Sequence, residues 1–171
     1  ESLDGIPFPI LLRDVLYHDK TLNAALARME NATRTNQYHY GIADPNAEGA
    51  QGRLIFSSRT RFDVYEDEQI LVHPCVNPAP FHTRLEDVVY WANHNGGRNE
   101  NLYNVLAARH GMLDAAGALD VARHAGVNST LVSVVYHNTT QEFWVAYAKG
   151  LQPAHQRDYV HFQLASADSI G

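Results

Sequence analysis

Leu131-Val132-Ser133-Val134-Val135-Tyr136, answered by Glu142-Phe143-Trp144-Val145-Ala146-Tyr147-Ala148, is the stretch that decides the fold class. Both runs are dense in β-branched and aromatic residues, and the polar residues His137 to Gln141 separate them. That pattern predicts an antiparallel hairpin. Tyr159 to Leu164 alternates in the same way and predicts one more strand. The alternating aromatics Tyr136, Phe143, Trp144 and Tyr147, with Trp91 upstream, read as core residues rather than as a base-stacking platform.

Upstream of the hairpin the period changes to that of helices. Asp114 can cap a helix with Leu119 and Ala122 facing inward and Gly126 at its end. Before it, Leu102, Val105 and Leu106 form a helical stripe closed by Gly111 at the C′ position. Val88 to Asn93 reads as a strand, Leu85 to Asp87 as a short helical turn, and His73 to Phe81, with three prolines, as irregular chain. Further back come strands at Gln37–Ala43 and Gly52–Ser57 around the turn Asp44-Pro45-Asn46. Arg61–Tyr65 and Gln69–Val72 are weaker strand patterns about Glu66-Asp67-Glu68. The N-terminal part predicts two helices. Leu11, Leu12, Val15 and Leu16 lie on the first. Leu22, Ala25, Leu26 and Met29 lie on the second, behind a cap within Asp19 to Thr21. Helices grouped in pairs with antiparallel strands favour a layered α+β fold over an alternating βαβ sheet.

The 171 residues suit a single domain with a real core. A hydrophobic share of 45% and a charged share of 19% are ordinary for a globular chain. The net charge of -6, with Lys and Arg scattered, argues against nucleic acid as a partner. No apolar run approaches the ~20 residues of a membrane span, so no membrane partner is expected. The single cysteine, Cys75, excludes an internal disulfide and fits a reducing compartment. A cytoplasmic location is therefore expected, with a secreted or lysosome-like compartment as the alternative.

Chemistry concentrates at Tyr90-Trp91-Ala92-Asn93-His94-Asn95-Gly96-Gly97-Arg98. A strand running into a Gly-Gly turn places Trp91, Asn93, His94 and Asn95 at a sheet end, where sites are often built. The Asn93 carboxamide can donate to a developing oxyanion without changing protonation. Arg98, at the start of the next helix, can hold a carboxylate by a bidentate contact. The macrodipole does not favour Arg at that position, so another reason for it is expected. The same residues also suit a plain turn, because Asn and Gly tolerate positive φ. His73, Cys75 and His82 match no closed zinc spacing, so no metal is expected. No organic cofactor is implied. Cys75 as a nucleophile with a neighbouring His is a weaker reading, since a lone Cys is usually a small buried hydrophobe. His110 and His124, near helix C-termini, suit structural capping.

Four segments carry a family resemblance: Gly5-Ile6-Pro7-Phe8-Pro9-Ile10-Leu11-Leu12-Arg13, Tyr38-His39-Tyr40-Gly41-Ile42-Ala43-Asp44, Trp91-Ala92-Asn93-His94, and the 131–148 hairpin. Together they resemble the later part of the cysteine-dependent acyltransferases and amidohydrolases of isopenicillin-N acyltransferase type. These are N-terminal nucleophile hydrolases. The resemblance implies an αββα sandwich, present here in incomplete form, and acyl transfer or linear amide hydrolysis of a small acylated substrate. It further implies a Cys nucleophile exposed by autoproteolysis upstream of this chain. Asn93 and Arg98 are then the catalytic residues, with His94, Asn95 and Trp91 on the substrate side. The departures are Ala92, where Thr is usual, and Asn95, where an aromatic is usual. They support the alternative of an inactive binding or structural domain of the same fold. A sheet lacking its companion should show an unpaired edge or a bare apolar face. The missing N-terminal segment of the same protein, or self-association, is therefore the expected partner.

Overall fold

The computed structural model describes residues 4–48, 51–66, 85–88, 90 and 98–164. The chain clusters into two compact units. Glu1–Asn77 and Arg84–Trp91 form the first, and Pro78–Thr83 and Ala92–Gly171 form the second. Each carries a pair of helices and a three-stranded antiparallel sheet in consecutive order, so the fold is mixed α+β.

In the first unit α1 spans Phe8–His18 and α2 spans Leu22–Asn31. Pro9 sits in the opening turn of α1, where its missing N–H costs nothing. Thr21 caps α2, its Oγ1 accepting from the Ala24 amide at 3.2 Å. Strands β1 (Tyr38–Ala43), β2 (Gly52–Ser57) and β3 (Phe62–Tyr65) make the sheet β1-β2-β3. Tyr40 faces Ile55, and Ile55 faces Val64. This register turns Ile55 toward the helices. There it joins Leu11, Val15, Ala25 and Met29 in the core, with Tyr40, Ile42 and Phe62 packed against them. Leu16 belongs to the expected apolar stripe but stands 83% exposed. The i, i+4 pair Leu11 and Val15 already fills the inward face, and Leu16 lies one residue round the helix from it.

The turn after β1 does more than reverse the chain. Asp44 Oδ1 accepts from the Asn46 amide at 2.9 Å, while Oδ2 accepts from the Leu22 amide at 3.1 Å. A carboxylate thus satisfies one of the orphan donors at the start of α2 and complements its dipole. The expected helical turn at Leu85 to Asp87 is instead a tight turn closed by a Leu85–Val88 bridge, with Asp87 at φ 58. Asp tolerates that left-handed conformation, which a short helix would not contain. The expected strand at Gln69–Val72 and most of Val88–Asn93 lie outside the described residues.

In the second unit α3 spans Arg98–Arg109 and α4 spans Ala115–Ala125. Gly111, at φ 73, ends α3 in the left-handed region, as a C′ glycine does. Asp114 caps α4 by accepting from the Gly117 amide at 2.7 Å. Strands β4 (Val132–His137), β5 (Glu142–Tyr147) and β6 (Val160–Gln163) form the sheet β4-β5-β6, with a 3-10 turn, η1 (Ala154–Gln156), before β6.

The register of this sheet sorts its side chains sharply. One face holds the row Val134, Val145, Val160 and the row Tyr136, Phe143, Phe162, beside Val132 and Tyr147. Rings in the aromatic row lie 5.9 Å apart (Tyr136–Phe143) and 4.9 Å apart (Phe143–Phe162, stacked). Such cross-strand pairs each add about 0.2–1 kcal/mol to the ladder. The opposite face holds Ser133, Trp144, Ala146 and His161. Arg123 of α4 lies over the ring of Tyr159, whose hydroxyl meets that of Ser133 at 2.6 Å. α4 and η1 therefore cover the mixed face, with α3 packed on α4, and leave the apolar one open. Tyr136 and Tyr147, expected in the core, are 67% and 64% exposed. Phe143 and Trp144, adjacent in sequence, look to opposite sides because successive strand residues must.

Candidate functional site

Of the five residues singled out from the sequence, Arg98 lies among the described residues. Asn93, His94, Asn95 and Trp91 lie outside them, as do His73, Cys75 and His82. Arg98 opens α3, and its Nε donates to the Ala125 carbonyl at 2.6 Å. Ala125 is the last residue of α4. A cation at a helix C-terminus is favoured by the macrodipole and satisfies an orphan carbonyl. Here is the separate reason that Arg at a helix start calls for: it complements the end of the neighbouring helix, not the start of its own. One of the five guanidinium donors is used in this bond.

Beside that junction sits a residue the sequence did not flag. His155, in η1, is 8% exposed, and its Nδ1 has no hydrogen-bond partner among the described residues. Its ring lies directly on Gly126. A Cβ built on that glycine would fall 2.0 Å from His155 Cγ. Gly126 ends α4 at its C-cap, as expected, with a φ of -69 that is open to any residue. The glycine is required by the close approach of the ring, a tertiary contact that no local pattern signals.

Three further polar groupings stand out among the described residues. Between α3 and α4 a groove of about 550 Å³ is lined by Asn104, Val105, Ala108, Arg109, Asp120 and His124. Arg109 pairs with Asp120, and His124 Nδ1 lies 2.8 Å from the Asp120 carbonyl oxygen and 3.5 Å from its carboxylate. His124 thus bonds back to a carbonyl inside α4, one turn before the open carbonyls at the helix end. Between α1 and α2 a groove of about 430 Å³ includes Asp14, Asp19 and Arg28, with Asp19 and Arg28 joined by two bonds of 2.6 and 2.9 Å.

The third grouping clips the end of the β4–β5 hairpin. Thr140 donates to Glu142 Oε2 at 2.6 Å, His161 Nε2 lies 3.0 Å from Glu142 Oε1, and His137 Nδ1 contacts the Thr140 hydroxyl. The Thr140 bond, seconded by His161, holds the Glu142 carboxyl below its usual range. A hydroxyl between an imidazole and a carboxylate resembles a nucleophile with its base. However, its one proton is committed to Glu142, so His137 is left to donate rather than to abstract. The group stands at an exposed hairpin tip and works as a clip across the three strands. Among the described residues no group of three or more His, Cys, Asp or Glu is placed to hold a metal ion. Nor is any helix among them long and apolar enough to cross a membrane.

No protein-family model matches the chain, and no solved structure matches it. Two proteins of Dictyostelium discoideum are similar. Protein dcd1B is 32% identical over 92 residues, covering 54% of this chain and 18% of that protein. Protein dcd1A is 25% identical over 144 residues, covering 83% of this chain and 32% of that protein. The chain therefore spans between about a fifth and a third of the length of these curated relatives.

Proposed function

We propose that this chain supplies the oxyanion-stabilising and substrate-binding side of a cysteine-dependent acyltransferase or linear amide hydrolase of the N-terminal nucleophile type. Its architecture would be an αββα sandwich. The observation that carries the reading is the exposed apolar face of β4-β5-β6, with α4 and η1 on the other side. Sheet-on-sheet packing consumes a surface of this kind, and a lone sheet in water does not hold it bare without cost. Three of the four family-like segments coincide with elements in the expected order: the lead into α1, strand β1, and the β4–β5 hairpin.

In this mechanism a cysteine thiolate supplied elsewhere in the protein attacks the amide carbonyl. A C–S bond forms and the carbonyl π electrons move to oxygen, where the Asn93 amide donates to the charge. Collapse expels the amine, which takes the proton held by the nucleophile's own α-amino group. Water or an acceptor amine then cleaves the thioester, giving hydrolysis or transfer. A small acylated substrate would be held by Trp91, His94 and Asn95. The engagement of Arg98 with the Ala125 carbonyl favours the second reading, an inactive binding or structural domain of this fold.

The two readings separate in an assay of acyl-amide hydrolysis by the full-length protein. Asn93→Ala should lower kcat by ~10²–10³, as loss of an oxyanion donor does. Arg98→Ala should lower thermal stability and activity together if it only joins the helices. Unchanged turnover in Asn93→Ala would remove the oxyanion assignment, and a wild-type protein with no turnover would favour the inactive domain.

A further inference from the structure

We infer that Asn128 is an N-glycosylation site, its side-chain amide taking an oligosaccharide in the lumen of the secretory pathway. The inference is independent of the acyl-transfer reading, and it selects the secreted or lysosome-like alternative over the cytoplasm. Three Asn-X-Thr acceptor motifs stand in the sequence, at Asn31, Asn128 and Asn138, none with proline in the middle position. A motif this short also arises by chance, so the fold has to discriminate among the three. The physical requirement is plain. A glycan is bulky and hydrated, and the folded chain tolerates it only where the amide nitrogen reaches open solvent.

Asn31 closes α2, and its Nδ2 donates to the Ala27 carbonyl at 2.8 Å. Asn138 is half-buried at the β4–β5 turn, and its Thr140 is held in the Glu142 clip. Asn128 is exposed, and its side chain makes no hydrogen bond among the described residues. It sits in the turn between α4 and β4, which is tied on both sides. The Thr130 amide donates to the Val127 carbonyl at 2.8 Å, and the Val127 amide to Thr130 Oγ1 at 2.9 Å. The Ala154 amide donates to the Thr130 carbonyl at 2.8 Å, which anchors the turn to η1. Asn128 and Ser129 stay exposed at its tip, so a glycan there displaces no packed group. The Thr130 hydroxyl is engaged once the turn has formed, so modification belongs to the nascent chain. There Asn128 Nδ2 attacks the anomeric carbon of a lipid-pyrophosphate-linked oligosaccharide. A C–N bond forms as the C–O bond to the pyrophosphate breaks. The lipid pyrophosphate leaves with the electron pair, and one Nδ2 proton passes to a base of the transferase.

The test uses the full-length protein isolated from the cells that make it. It is treated with a peptide N-glycosidase in heavy-oxygen water, digested, and sequenced by tandem mass spectrometry. Release of a glycan turns its Asn into an Asp that carries the isotope, so this readout needs no variant. Heavy Asp at position 128, absent from an untreated control, is the expected result. In the same cells Asn128→Gln should remove one glycan step of electrophoretic mobility, and Thr130→Ala should do the same. Thr130→Ser, which keeps an acceptor hydroxyl, should retain the step. Unlabelled Asn128 overturns the proposal, whether the protein never enters the lumen or the motif is passed over there. A glycan pattern that Asn128→Gln leaves unchanged overturns it too. Either result leaves the Asn93→Ala assay as the separate test of acyl transfer, since that assay reports on chemistry and not on the route the chain takes.

Discussion

Arg34 is the residue whose loss should cost the first unit most. It is 7% exposed and has no carboxylate partner within ion-pair distance among the described residues. Its Nε donates to the Ser58 carbonyl at 2.8 Å. Nη1 reaches the carbonyls of Met29 at 2.6 Å, Glu30 at 2.5 Å and Ala32 at 3.1 Å. The guanidinium also lies 5.2 Å from the centre of the Phe62 ring. It thereby closes the end of α2 and ties it to the turn between β2 and β3. Burial pulls its pKa below the usual arginine range, with Glu30 opposing. Nη1 has two hydrogens for three carbonyls, so about three effective charge-assisted bonds are made, each worth roughly 1.5–3 kcal/mol. Removing the cation also relieves its own desolvation cost, which offsets a good part of that sum. Arg34→Met keeps the apolar stem and should lose about 3 kcal/mol, a large share of the 5–15 kcal/mol of a typical domain. Arg34→Lys should recover little, because an ammonium cannot serve carbonyls on two sides as the planar fork does. Urea unfolding followed by far-UV circular dichroism measures both. A loss under about 0.5 kcal/mol for Arg34→Met would refute the argument, since that is the range of surface substitutions.

Two further outcomes follow from single contacts. Gly126→Ala should destabilise the second unit by about 1–3 kcal/mol, because the new Cβ must displace the buried His155 ring. Gly117→Ala, whose Cβ would sit 3.3 Å from Asp114 Oδ1, is the milder comparison in the same melting experiment. The Glu142 carboxyl, depressed first by Thr140 and then by His161, contributes stability that is present above the unfolded carboxylate pKa and lost as pH falls through the lower folded value. Thr140→Val should raise the midpoint of the Glu142 carbon-13 titration, and an unmoved midpoint would remove Thr140 as the principal cause.

The sequence made the elements legible where pattern is local. Strand β2 falls on its expected bounds, the caps Thr21 and Asp114 make the bonds their side chains promise, and Gly111 terminates α3 in the left-handed region. Period-2 alternation identified β4, β5 and β6 but was silent on which face the helices would take. Both faces of β5 are aromatic, with Phe143 on one side and Trp144 on the other. Only the contacts of α4 and η1 decide that Trp144 looks to the covered side. The same silence hid His155: Gly126 ends α4 as expected, but its contact with the His155 ring comes from a segment some thirty residues away closing onto the end of α4.

This difference in legibility bears on how the candidate centre is built. Arg98 was noticed because it sits badly on its own helix dipole, and the conflict resolves once Ala125 is in view. A local rule broken at one residue and repaired by a distant one marks a tertiary joint. The joint ties the start of α3 to the end of α4. For that reason Arg98→Ala should move stability and turnover together, whereas Asn93→Ala should move turnover alone.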